Sequence, residues 1–203
     1  DIRVADAARV SFNKQSTPLA DGSANDADVK LIRYLAQHNH FTPFTHCMIT
    51  LRETVPIFVA RQRFKHTVGF TYNEVSRRYV DDQPEFYAPD EWRSRPEGSV
   101  KQGSGELHPQ SGLIARWYDD ACTKALLDYN SLIDNGVAPE QARMFLPQGM
   151  FTSYYVTGSL AAFARAYLLR IDPHSQQEIQ ELAKQWDAII KPLFPVSWEA
   201  LTK

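Results

Sequence analysis

Residues 58–79 read FVARQRFKHTVGFTYNEVSRRY and hold Arg61, Arg63, Lys65, His66, Arg77 and Arg78 around one short turn, in a chain of formal net charge −2. Cations packed this closely repel one another unless an anion sits among them. The spacing predicts the local structure. Pro56 suits a first helical position, where its missing N–H costs nothing, and a helix runs on from it through His66. Ile57, Val59, Ala60 and Phe64 supply apolar surface at helical spacing, while Arg61 and Lys65 share another face. Gly69 permits a tight bend. Asn73, Glu74, Ser76, Arg77 and Arg78 then offer an amide, a carboxylate, a hydroxyl and two guanidiniums. Arginine grips phosphate through a bidentate fork, and a serine hydroxyl or loop N–H completes such a cradle. An amide or carboxylate matches the donor and acceptor edge of a base. The stretch reads as an anion site, for a nucleotide phosphate.

Upstream, His46 to Val55 alternates, with Cys47, Ile49, Leu51 and Val55 on one side and Met48, Thr50, Arg52 and Thr54 on the other. That is a half-buried strand. Asp26 to Asn39 is a helix capped by Asp26, with Val29, Ile32, Leu35 and Ala36 as its apolar face. Residues 1–12 form a short leading segment and 14–25 a loop. His38, His40 and His46 lie close together, but no Cys or carboxylate joins them at metal spacing, so no metal site is expected.

Downstream, residues 93–112 are polar, rich in Gly, Pro and Ser, and read as a long surface loop that suits a lid. Leu113 to Ile133 is a long helix whose apolar positions include Ile114, Trp117, Tyr118, Ala121, Ala125, Leu126, Tyr129 and Leu132, stopped by Asn135-Gly136. Pro139 opens a short helix carrying Arg143. Residues 149–157 are aromatic and β-branched, a strand. Ser159 caps a helix over 160–168, and 178–190 form a last helix with Ile179, Leu182, Trp186 and Ile189 inward.

The chain has 203 residues, 43% hydrophobic and 23% charged, which suits one compact domain spanning 1–203. Near-neutral charge argues against a nucleic-acid polymer as partner, since that wants a broad basic stripe. No apolar run is long enough to span a membrane. The chain begins at Asp1 rather than Met, so leading residues are expected before it. Cys47 and Cys122 read as buried thiols in a reducing, cytoplasmic setting.

Several of these segments together resemble the flavin-dependent thymidylate synthases. The central match is Arg61-Gln62, Lys65-His66-Thr67, Asn73-Glu74, Ser76, Arg78 and Tyr79 against the family's signature. Lys65 and Thr67 stand where the family has arginines, and one extra residue lies between His66 and Ser76. AARVSF near the start, the H-x-TPF turn at His40–Phe44, GVAPEQARMFLP around Arg143, and the block from Arg170 to Gln180 match in the same order.

The resemblance implies an α+β fold, a curved and largely antiparallel sheet with packed helices, in a homotetramer with shared active sites. It implies dUMP as substrate, FAD as cofactor, and NADPH and methylenetetrahydrofolate as co-substrates. By the same match Gln62, Lys65, Glu74, Ser76, Arg77, Arg78, Arg143 and Arg170 hold the nucleotide, and Arg170 polarises the pyrimidine. Ser11, His40, Thr42, Lys65, His66, Thr67, Val68, Ser159, Arg165 and His174 lie at the flavin.

The residues bear on this independently. Methylating C5 of a uracil requires making that carbon nucleophilic. Neither cysteine sits in an electropositive loop that would lower a thiol pKa, and Ser76 has no evident base and carboxylate partners. The reactive group is therefore expected from a cofactor. No G-x-G-x-x-G follows a strand, so a Rossmann-type flavin site is not expected. Two other readings use the same residues: a dUMP hydroxymethylase on this scaffold, and a nucleotide- or flavin-binding protein without turnover.

Overall fold

The computed structural model describes residues 1–80, 82–98 and 103–203. Among them the elements run α1 (Ile2–Arg9), α2 (Asp26–Gln37), β1 (Met48–Pro56), α3 (Ile57–Arg63), β2 (Phe70–Glu74), α4 (Ser111–Asp134), α5 (Pro139–Ala142), β3 (Phe151–Ser159), α6 (Leu160–Arg170), α7 (Gln177–Leu193) and α8 (Pro195–Thr202), with short 3-10 turns at Val10–Phe12, Thr42–Thr45 and Arg143–Phe145. The strands form one open sheet in the order β1-β3-β2. Its register is antiparallel. Thr50 meets Thr157 at 2.9 Å while Thr54 meets Ser153 at 2.7 Å. On the other side of β3, Ser159 N–H donates to Gly69 O and Val75 N–H to Ser153 O. The fold class is α+β, as the resemblance implied. No helix among the described residues is long and apolar enough to cross a membrane.

The chain divides into two compact units, Asp1–Leu51 with His66–Thr71 and Val156–Lys203, and Arg52–Lys65 with Tyr72–Tyr155. In the first, α6, α7 and α8 pack on one another, α2 packs on α8, and α1 packs on α2. The apolar positions of α7 recur at three and four, which brings Ile179, Leu182, Trp186 and Ile190 to one buried stripe. Phe163 of α6 meets Trp186 edge to face, and Trp198 of α8 donates its indole N–H to Asp187. The Asp1 carboxylate accepts from Val196 and Ser197 N–H, placing an anion on the free amides that begin α8. In the second unit, α4 packs on α5 and the Arg143–Phe145 turn, while Ile57 and Phe58 N–H pair with Met150 and Gln148 carbonyls.

Several expectations shift. Residues 1–12 are helix and turn, with Val4 and Ala5 wholly buried. Asn25, not Asp26, caps α2, its side chain accepting from Asp28 N–H; Asp28 is itself buried and ion-paired to Arg9. The predicted helix through His66 ends at Arg63, and residues 70–74 form a strand where a polar turn was read. Phe70 and Tyr72 alternate with Thr71 and Asn73, but over only five residues, too few to outweigh the charged signal around them. Ile190 rather than Ile189 points inward on α7, and Trp117 of α4 is exposed. The residues after α7 add α8. In the segment read as a loop, Arg93 bridges Leu107, Ser94 N–H donates to Glu106 O and Gly105 N–H to Ser94 O, an antiparallel pair of arms. The lid reading falls partly on 99–102, outside the described residues.

Candidate active site

A cavity of about 600 Å³ opens in the second unit. Three local devices bring its side chains together. β1 alternates, so Arg52 and Thr54 point outward while Glu53 and Val55 turn into the protein. β2 ends at Glu74, and Val75 N–H pairs with Ser153 O, which delivers Ser76, Arg77 and Arg78 to the end of the sheet. Pro139 starts α5 at a position that needs no N–H, and the 3-10 turn that follows presents Arg143.

The site is cationic but organised. Arg77 donates to the Oδ1 and backbone O of Asp82. Arg78 Nε lies 3.3 Å from Ser76 Oγ, and its guanidinium sits over the Tyr79 ring. Arg143 Nε donates to Glu140 O at 3.1 Å, leaving its two Nη groups to the cavity. Glu74 accepts from the Thr152 hydroxyl at 2.7 Å, which holds one carboxylate oxygen and leaves the other. Guanidinium forks, a hydroxyl and the Glu74 carboxylate thus line one opening: donors for a phosphate beside an acceptor for an N–H.

Of the residues expected to hold a nucleotide, Glu74, Ser76, Arg77, Arg78 and Arg143 line this cavity. Gln62 and Lys65 do not; Lys65 is exposed just past α3. Arg170 belongs to the other unit, at the C-terminus of α6, where its Nε donates to His66 Nε2 at 2.8 Å. His66 is buried, and the bond requires its Nε2 to be unprotonated. Arg63 leaves the cationic cluster altogether. It is fully buried, and its Nε lies 3.1 Å from Glu53 Oε2.

A family model described as thymidylate synthase complementing protein matches residues 1–196. The chain belongs to the flavin-dependent thymidylate synthase family. It is 35% identical over 209 residues to the flavin-dependent thymidylate synthase of Thermosipho africanus, covering 100% of this chain and 86% of the relative. A Thermus thermophilus enzyme of that name is 32% identical, covering 98% of this chain and 71% of its own. Among solved structures, the UMP/dUMP methylase PolB from Streptomyces cacaoi, bound with 5-Br dUMP, superposes with a TM-score of 0.85 at 30% identity, covering 99% of this chain and 89% of that one.

Membership in the flavin-dependent thymidylate synthase family implies a flavin. In the first unit Ser11, His40, Thr42, Thr67 and Val68 are exposed, as are Phe12, at 77%, and Phe41, at 61%. Arg165 Nη2 donates to Val68 O, and His174 Nδ1 lies 2.9 Å from Asp172 Oδ1. Hydroxyls, imidazoles and a guanidinium beside flat apolar side chains fit the polar edge and apolar faces of a flavin. These residues line neither this cavity nor the smaller aromatic one beside α4. Ser159 is buried, and its hydroxyl accepts from Ala162 N–H as the cap of α6.

Sequence reasoning missed two features of this family member. Arg52 lines the cavity. Behind the sheet lies a buried polar cluster. Tyr154 Oη donates to Glu53 Oε2 at 2.6 Å, Arg63 Nη1 donates to Tyr72 Oη at 2.7 Å, and Phe64 packs edge-on to both tyrosine rings. The signal for the second was present: Glu53 has the inward parity of Ile49, Leu51 and Val55, and a charge there demands a buried partner.

Proposed function

We propose that this chain converts dUMP, methylenetetrahydrofolate, NADPH and a proton into dTMP, tetrahydrofolate and NADP⁺, with FAD as its cofactor. The observation that carries the reading is the cavity in which Ser76, Arg78 and Arg143 stand together with Glu74. Ser76 and the free Nη groups of Arg78 and Arg143 hold the phosphate. Arg77 is neutralised by Asp82 and shapes the turn. The free oxygen of Glu74 takes a ring N–H, and Gln62 and Lys65 serve the same nucleotide in the assembled homotetramer.

In that assembly Arg170 faces the uracil. Its Nε donates to His66, which orients the guanidinium, and that cation stabilises negative charge as it develops on a uracil carbonyl. Ser11, His40, Thr42, His66, Thr67, Val68, Arg165 and His174 would hold the flavin, which when bound and reduced would supply the hydride. Ser159 acts there through the start of α6. The exposure of Ser11, His40, Thr42, Thr67, Val68, Arg165 and His174 on one chain supports active sites shared between subunits. The protein's own thiols are poor alternatives for activating C5. Cys47 and Cys122 are buried, and burial pushes both thiols up from their ordinary range, so neither supplies a thiolate at neutral pH. Two free thiols accord with a cytoplasmic setting.

The test is an anaerobic incubation with dUMP, FAD, NADPH and methylenetetrahydrofolate, followed by mass analysis of the nucleotide. The expected product carries one added methyl group, with tetrahydrofolate formed and dihydrofolate absent. A hydroxymethyl product would replace this reading with the hydroxymethylase. Bound and reduced flavin without product would leave a binding protein.

A further inference from the structure

Four guanidiniums line the cavity, and three of them are tethered: Arg77 to Asp82, Arg78 to Ser76, and Arg143 to Glu140 O. The fourth, Arg52, makes no hydrogen bond or ion pair among the described residues. Its direction is nevertheless set. Glu53 is locked inward by Arg63 and Tyr154, so the residue before it in β1 must point outward. On that face Thr54, one turn of the alternation further on, bonds Ser153 of the central strand, and both also line the cavity.

The charge balance identifies what Arg52 meets. Three carboxylates line the same opening, Glu74, Asp82 and Glu85. Asp82 is matched by Arg77, Glu74 keeps its charge while accepting from Thr152, and four guanidiniums against three carboxylates leave the described lining with net positive charge. A uracil edge or a sugar is neutral and cannot answer it. A phosphate dianion can, and a planar fork of N–H donors matches its oxygens.

We infer that Arg52 is a further substrate-binding residue of this cavity and takes the phosphate of the bound nucleotide, together with Ser76, Arg78 and Arg143. This rests on the dUMP reading above. It assigns to β1 a role in binding that the cationic stretch at 58–79 does not contain.

The experiment is calorimetric titration of the flavin-loaded protein with dUMP and, separately, with deoxyuridine and with methylenetetrahydrofolate, for the wild type, Arg52→Gln and Arg52→Lys. Arg52 is exposed and packs into no core, so both variants should keep the wild-type melting curve. The expected result is a dUMP Kd raised about tenfold or more in Arg52→Gln, an unchanged deoxyuridine Kd, and partial recovery in Arg52→Lys. An unchanged dUMP Kd overturns the inference, as does equal weakening of dUMP and deoxyuridine. So does a loss confined to methylenetetrahydrofolate, which would move Arg52 to the folate carboxylates. If the wild type itself takes no dUMP, the functional reading fails, and the phosphate assignment fails with it; if the wild type binds and Arg52→Gln binds equally well, only the Arg52 assignment fails.

Discussion

Replacing Glu53 with leucine tests whether the polar cluster behind the sheet is a closed unit. Glu53 and Arg63 side chains are 3% and 0% exposed, and Tyr154 donates to the same carboxylate. Glu53→Leu therefore strands a guanidinium out of water and deprives the Tyr154 hydroxyl of its acceptor. Removing one partner of a buried pair costs about 3–5 kcal/mol. For a chain of this size, each kcal/mol moves the melting temperature by about 2–4 °C, so the variant should melt about 6–20 °C lower. Adding Arg63→Leu removes the stranded charge, and apolar replacement of a whole buried pair is often neutral or better. The double variant should then recover at least about 2 kcal/mol of the loss. The assay is urea unfolding of the wild type, both single variants and the double variant at one protein concentration, read as a double-mutant cycle. A double variant no more stable than Glu53→Leu alone would refute the reasoning, because the cost would then not lie in the unpaired charge.

Three further outcomes follow from particular contacts. Gly69 has φ of +79°, and a Cβ there would lie 2.9 Å from Ala162 Cβ, so Gly69→Ala should destabilise by more than about 1 kcal/mol in thermal unfolding; an unchanged curve would mean that the bend relaxes freely. Because burial raises the Cys47 and Cys122 thiols, the folded state holds their protons where the unfolded state has lost them. Stability should fall as pH rises through and above the ordinary thiol range, and alkylation at about pH 8, near the ordinary thiol pKa, should be slow until guanidinium is added; rapid labelling of the native protein would contradict the burial. Arg170→Ala should lower turnover by about a hundredfold while changing dUMP affinity far less. Equal loss of both would remove its polarising role.

Much of the fold was legible because it follows from local periodicity. The long helix α4 lies within three residues of its predicted bounds and stops at Asn135-Gly136, where Gly136 has φ of +78°. Ser159 caps α6 as read. β1 and β3 lie within two residues of their predicted positions. The short β2 was not legible, since five residues of alternation do not outweigh a run of charges and amides. The family could be read from motifs alone, because matching residue types recur in the same order along most of the chain.

What the sequence by itself determined is therefore the elements, the family and a set of residues able to grip an anion. Which cations share one site was settled only by tertiary structure. Arg63, two residues from Arg61 in the quoted stretch, turns inward and is neutralised by Glu53, while Arg52, outside the stretch, enters the cavity. The physical reason is that sequence spacing fixes direction only relative to an element's own axis. Whether a given side of that axis meets a carboxylate, a cavity or water depends on which distant strand is paired beside it. Here that strand is β3, nearly a hundred residues from β1 in the chain and joined to it by Thr54–Ser153 and Glu53–Tyr154.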